Sequence, residues 1–144
     1  MAAFLSHLDQ IHLVAIHARR HGEVKSRNFA TDIERAVEWA QSLNADGYGV
    51  YFTVNRVPDG FDPKPGKHNI KASRFVHVDI DPPKGSEFEF SKAATIETLE
   101  NLRCPATFII DSGNGVQGFW QLDDDYENTE AIERINLQVR HLFN

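Results

Sequence analysis

Cysteine is all but missing. Cys104 is the single one in 144 residues, which excludes an internal disulfide and a thiolate cluster for zinc and points to a reducing, cytoplasmic setting. Long apolar runs are missing as well. No window approaches the ~20 residues of a membrane span, and the N-terminal Met-Ala-Ala-Phe-Leu-Ser-His-Leu-Asp-Gln has neither a basic start nor an export-type apolar stretch. The expectation is a soluble protein with no membrane partner. Repeats and low-complexity tracts are absent too. What is present, 144 residues at 41% hydrophobic content, suffices for a single compact domain with its own core.

A net charge of −6 argues against a strong nucleic-acid binder taken as a whole. The charge is unevenly spread. Residues 1–77 carry ten Lys+Arg against eight Asp+Glu, whereas residues 78–144 carry five against thirteen. Arg19, Arg20, Lys25 and Arg27 form one basic cluster, and Lys64, Lys67, Lys71 and Arg74 another. Either a track for a phosphate backbone or a solvated lysine-rich surface fits that composition.

Along the chain, residues 2–9 read as a short helix with Phe4, Leu5 and Leu8 on one side. Ile11–Ala18 reads as a central strand and Val24–Phe29 as a second, with His12 and His17 on opposite faces and therefore structural or exposed. Thr31-Asp-Ile-Glu34 has the form of a capping box opening a helix over about 32–45. Val50–Val54 follows as a strand, expected to neighbour the acidic strand described below. Residues 57–72, with three prolines and two glycines, are expected as a mobile loop near the site. After a loop at Lys84-Gly85, Ser91–Leu102 reads as a helix carrying Ala94, Ile96, Leu99 and Leu102, which Pro105 ends. Ala106–Ile110 and Val116–Leu122 read as a hairpin about Asp111-Ser-Gly-Asn-Gly115. Asp123–Asp125 break the pattern. Thr129–Phe143 closes as a helix presenting Ile132, Ile135, Val139 and Leu142.

The stretch Arg74-Phe-Val-His-Val-Asp-Ile-Asp-Pro-Pro83 carries the chemistry. Phe75, Val76, Val78 and Ile80 suit a buried strand, and the prolines stop it just after Asp81. Alternation puts Asp79 and Asp81 on one face, about 6.6 Å apart along the strand, with Ile80 turned into the core. Two such carboxylates repel unless a cation joins them, so they read either as ligands for divalent metal or as strand-end acids in water. Ser112-Gly-Asn-Gly115 reads either as a hairpin turn or as a nest of N–H groups for phosphate, with the Gln117 amide projecting beside it.

Together these two motifs, with a helix between them, resemble the archaeo-eukaryotic primase superfamily, and within it the primase-polymerase and RepB-like replication primases of plasmids and phages. Phe75-Val-His-Val-Asp-Ile-Asp81 is similar to that family's first motif, and Ser112-Gly-Asn-Gly-Val-Gln117 to its second. The Tyr51-Phe-Thr-Val-Asn55 strand and its preceding helix are similar to the family's N-terminal part. The resemblance implies an α/β (α+β) fold, a mostly antiparallel sheet with RRM-like βαβ units backed by helices. It implies Asp79 and Asp81 as catalytic ligands of Mg²⁺ or Mn²⁺, and Ser112, Gly113, Asn114, Gly115 and Gln117 as nucleotide-binding residues. Asn55, Lys71 and Arg74 become nucleic-acid contacts. The partners it implies are a single-stranded DNA template, nucleoside triphosphates and a helicase module or other replication partner.

Two departures shape the expectation. Histidine is usual where this chain has Gln117, whose amide donates to phosphate but carries no charge. The family's third motif, with a further metal-binding acid, has no counterpart, and Asp123–Asp125 come too early. The chain is therefore expected to be the N-terminal part of a longer replication protein, inactive alone as a DNA primase, or a non-catalytic nucleotide- or nucleic-acid-binding relative. A rolling-circle nicking domain needs a paired-histidine metal site, and His77 has no second histidine at the required spacing.

Overall fold

A computed structural model describes residues 2–82 and 90–143; the loop expected at Lys84-Gly85 lies outside the described residues. The chain is α/β with two small antiparallel sheets, and it divides into two compact units, Met1–Ala72 and Ser73–Asn144. No helix among the described residues is long and apolar enough to cross a membrane.

In the first unit a one-turn helix, α1 (Ala2–Leu5), precedes strand β1 (Ile11–His17), whose first five residues are all buried. Strand β2 (Val24–Ala30) pairs antiparallel with one edge of β1, and strand β3 (Tyr48–Phe52) with the other. Helix α2 (Ile33–Ala45) connects β2 to β3. Its cap is Asp32, which accepts the Arg35 N–H at 3.1 Å, so the cap falls one residue later than the Thr31 capping box predicts. Ala36, Ala40 and Leu43, spaced i, i+4, i+7, form its buried face. Leu43 joins Ala15 and Tyr48 in a core flanked by Trp39 and Val50.

Both histidines of β1 are structural. His12 is buried, with Nδ1 2.8 Å from Thr53 Oγ1 and Nε2 3.2 Å from Ser26 Oγ. His17 Nδ1 accepts the N–H groups of Arg19 and Arg20, each at 3.0 Å, and so shapes the basic turn. Residues 57–72 are tied down within this unit. Val57 is buried, Lys67–Asn69 form a 3-10 turn, and Arg56 donates its N–H to the Ala72 carbonyl at 3.0 Å and accepts the Lys71 N–H at 2.8 Å. The expected neighbour of the acidic strand is corrected: β3 pairs with β1 in this sheet, while the acidic strand belongs to the other.

The second unit runs strand β4 (Ser73–Ile80), helix α3 (Lys92–Glu100), strand β5 (Phe108–Asp111), strand β6 (Val116–Tyr126) and helix α4 (Thr129–Arg140). The sheet order is β4-β6-β5, with both pairs antiparallel, so β4 and β5 run parallel on either side of β6. Ser91 Oγ caps α3, accepting the Ala94 N–H at 3.3 Å. Leu99 of α3 is fully buried with Val78, Ile80 and Val116, against Ile96, Ile109, Trp120, Val139 and Phe143. That one leucine contributes roughly 1.5–3 kcal/mol by burial. Gly118 makes the contact possible, because a Cβ there would lie 2.9 Å from Leu99 Cδ2.

Helix α4 manages the open edge of β4. Asn136 Oδ1 accepts the His77 N–H at 3.0 Å, and its amide nitrogen faces His77 Nδ1 at 3.3 Å. The inward face of α4 differs from the predicted one. Ile132 is buried and Val139 packs on the core, but Ile135 is 40% and Leu142 72% exposed, since the stripe turned inward includes Asn136. The acids Asp123–Asp125 do not end β6, which runs on to Tyr126. The register shifts between Ser73 and Phe75, and Arg74 pairs with Asp125 at 3.2 Å.

Candidate functional site

The register of the second sheet brings the two sequence motifs to one end of it. Asp79 lies opposite Gln117 and Ile80 opposite Val116, while Ile110 and Asp111, at the end of β5, pair with the same two residues from the other side. Alternation then sorts the faces. Phe75, His77 and Asp79 share one, together with Phe119 and Gln117, and Asp81 follows directly after the strand's last residue; Val78, Ile80, Val116 and Gly118 share the face under α3. Asp79 and Asp81 are both exposed.

Gly115 locks this junction. A Cβ built on it would strike the Ile80 carbonyl oxygen and come 2.8 Å from Asp81 Oδ1, so the turn approaches the acidic strand as closely as only glycine permits. The turn itself is internally bonded. Ser112 N–H donates to the Gly115 carbonyl at 3.1 Å, Gly113 N–H to Asp111 Oδ1 at 2.8 Å, and Gly115 N–H to Ser112 Oγ at 3.1 Å. Gly113 supplies the positive φ, +93°. Asn114 is exposed at the tip. Three N–H groups expected to face a phosphate are thus directed within the turn.

His77 stacks on Phe119, with ring centroids 6.1 Å apart and planes 16° apart. Burial pushes its pKa below the ordinary histidine value, and the nearby Asp79 carboxylate opposes that shift. The imidazole is therefore a neutral wall behind the acids at pH 7.

Asn55, Lys71 and Arg74 are not gathered at these acids by the second sheet. Asn55 and Lys71 belong to the first unit, where the Asn55 side-chain oxygen Oδ1 is shielded from solvent without a hydrogen bond among the described residues. Lys71 is exposed. Arg74 stands in β4 but is engaged by Asp125. Lys92 is the residue sequence reading passes over: from the first turn of α3 its ammonium reaches Asp111 Oδ1 at 2.7 Å and the Gly113 carbonyl at 2.6 Å. Its contact spans some twenty residues of chain and leaves no local signal.

Among the described residues no group of three or more His, Cys, Asp or Glu side chains converges as a metal site. The fit for a divalent ion therefore rests on the Asp79–Asp81 pair: two exposed hard oxygen donors at one strand end, suited to an ion that retains several waters. No protein-family model, curated protein or solved structure matches the chain.

Proposed function

We propose that this chain belongs to a metal-dependent nucleotidyltransferase of the primase-polymerase kind, acting on nucleoside triphosphates over a single-stranded DNA template in plasmid or phage replication. The observation that carries the reading is the meeting of Asp79 and Asp81 with the Ser112–Gln117 turn across β4 and β6, at a contact closed by Gly115. Acids beside a glycine turn at one sheet end are what phosphoryl transfer needs: cation ligands next to a place for phosphates. The strand order supports it too. A helix joining two parallel strands with a third between them is the split βαβ arrangement of RRM-like folds.

In this reading Asp79 and Asp81 hold Mg²⁺ or Mn²⁺, which when bound supplies a Lewis acid that neutralises developing phosphate charge. The Gln117 amide, opposite Asp79, donates to a phosphate oxygen. Half-buried, neutral His77 stands one step further along the same strand face as Asp79 and offers the metal no competing charge. Asn55, Lys71 and Arg74 are proposed strand contacts, and Arg74 would have to leave Asp125 to serve as one.

A second reading, a nucleotide- or nucleic-acid-binding module without catalysis, is favoured by one observation: no third acid or histidine joins Asp79 and Asp81 among the described residues. Two-metal transfer depends on ligands that fix both ions closely, whereas binding does not. The test measures nucleoside triphosphate binding with and without Mn²⁺, beside primer synthesis on single-stranded template. Expected are metal-dependent binding lost in Asp79→Asn/Asp81→Asn and no primer from this chain alone. Metal-independent or absent binding would overturn the first reading, and robust primer synthesis would overturn the second.

A further inference from the structure

The glycine turn already holds an anion of its own. One oxygen of Asp111 receives the Lys92 ammonium at 2.7 Å and the Gly113 N–H at 2.8 Å, while the same ammonium is steadied by the Gly113 carbonyl at 2.6 Å. A cation and a backbone N–H converging on one oxygen are the donors a phosphate oxygen takes. The carboxyl is held in its ionised form, since the Lys92 hydrogen bond, followed by the Gly113 N–H, lowers its pKa. The pair is also accessible. The Lys92 and Asp111 side chains are 33% and 57% exposed, so a ligand reaches them without unpacking the core, and an ion pair of this exposure is weak.

We propose that Lys92 is the cation of a phosphate site at the Asp111–Gly115 turn, that Asp111 fills this site internally, and that an incoming phosphate group displaces its carboxylate. The inference rests on the nucleotide-handling reading above and deepens it, for it supplies the positive charge that Gln117 cannot. A phosphate bearing nearly two negative charges outcompetes a carboxylate bearing one for the same two donors. Asp111 then sets a threshold: the doubly charged terminal phosphate of a polyphosphate enters, whereas a strand phosphodiester, with one charge, competes with the carboxylate on even terms.

The phosphate could belong to a nucleoside triphosphate or to a nucleic-acid strand, so the experiment carries both as arms. Fluorescence anisotropy of the 144-residue chain is measured with a labelled nucleoside triphosphate and with labelled oligothymidylate, and inorganic tripolyphosphate is titrated calorimetrically. Lys92→Gln should weaken binding about tenfold, the loss of one charge-assisted hydrogen bond, and Lys92→Arg should restore most of it. Asp111→Asn should tighten binding several-fold and do nothing in the Lys92→Gln background. The arm that responds identifies the source of the phosphate. Unchanged binding in Lys92→Gln, or weaker binding in Asp111→Asn, overturns the inference while leaving the wider reading standing. Tripolyphosphate binding that depends on Lys92, with neither labelled ligand bound, upholds the site and overturns the nucleotide-handling reading; no binding of any of the three overturns both.

Discussion

Gly115→Ala tests whether the two motifs meet as described. The residue lacks a positive φ, so alanine meets no backbone strain there and the effect is one of space alone. The new methyl would press on the Ile80 carbonyl oxygen and lie 2.8 Å from Asp81 Oδ1 and 3.1 Å from the Ile80 carbonyl carbon. Two of those atoms are backbone of a paired strand, so relief requires the end of β4 to part from β6 where Ile80 faces Val116. Such overpacking costs about 1–3 kcal/mol, and the stiffer unfolded chain returns about 0.4–1 kcal/mol, leaving a net loss of roughly 1–2 kcal/mol. With a urea slope of about 1 kcal/mol/M for a unit this small, the midpoint falls by roughly 1–2 M. The two tryptophans make the assay specific. Trp39 lies in α2 of the first unit and Trp120 in β6 of the second, so a Trp39→Phe background leaves fluorescence reporting the second unit only. The shift should appear in the Trp120 transition, and Mn²⁺ binding should weaken in the same variant because Asp81 moves. An unchanged Trp120 midpoint would refute the close approach of turn and strand.

Asp79→Asn and Asp81→Asn should leave the melting temperature equal or higher without metal while abolishing Mn²⁺ binding by calorimetry; a marked fall in melting temperature would assign the acids a structural role. Gly118→Ala meets side chains alone, the buried Leu99 at 2.9 Å and Trp120 at 3.4 Å, and should cost about 1 kcal/mol in urea, less than Gly115→Ala, which meets backbone. Burial lowers the pKa of His12 from 6.5, with hydrogen bonding at Asp62 and Pro63 and the Asp62 charge opposing. Its stabilising neutral form is thus fully present above about pH 6.5 and lost as pH falls through the lowered value, so melting temperature should decline on acidification and decline less in His12→Gln. Asn136→Leu strands the His77 N–H on an open edge and should cost about 1–3 kcal/mol, with faster amide exchange at His77 as its signature.

Local pattern made most elements legible. Short runs rich in apolar, β-branched and aromatic residues mark β1, β4 and β6, because such side chains suit a buried strand whatever it pairs with. Pairing partners are a different matter. Val50–Val54 is an apolar strand that any sheet edge would accept, and only α2, turning the chain back at Gly47 with φ +88°, delivers β3 to β1 rather than to the acidic strand. Asp123–Asp125 look like a strand terminator by composition. They continue β6 because Arg74, across the sheet, neutralises Asp125 at 3.2 Å, a compensation fifty residues distant in sequence. In α4 the helical period was clear but its phase was not: Asn136 takes an inward position to satisfy one edge N–H, and Ile135 is turned out in exchange.

The site divides along the same line. That Asp79 and Asp81 stand at a strand end follows from the apolar run before them and the proline after them, so their place was readable without any partner. That Gly115 closes on Ile80 and Asp81 follows from the register of two strands separated by a helix and a further strand, and the sequence shows the glycine without its reason. A glycine turn alone suggests free N–H groups, yet here Asp111 and Ser112, the residues leading into it, turn back and accept them. Lys92 is the extreme case. As the first residue of a helix it has no pattern to distinguish it from any surface lysine, and the helix must pack across the sheet before its ammonium meets the turn. Residues whose chemistry depends on one element's own periodicity can be found from sequence; those whose chemistry depends on two elements meeting, as Lys92 and Asp111 do, become visible only when the packing that joins them is known.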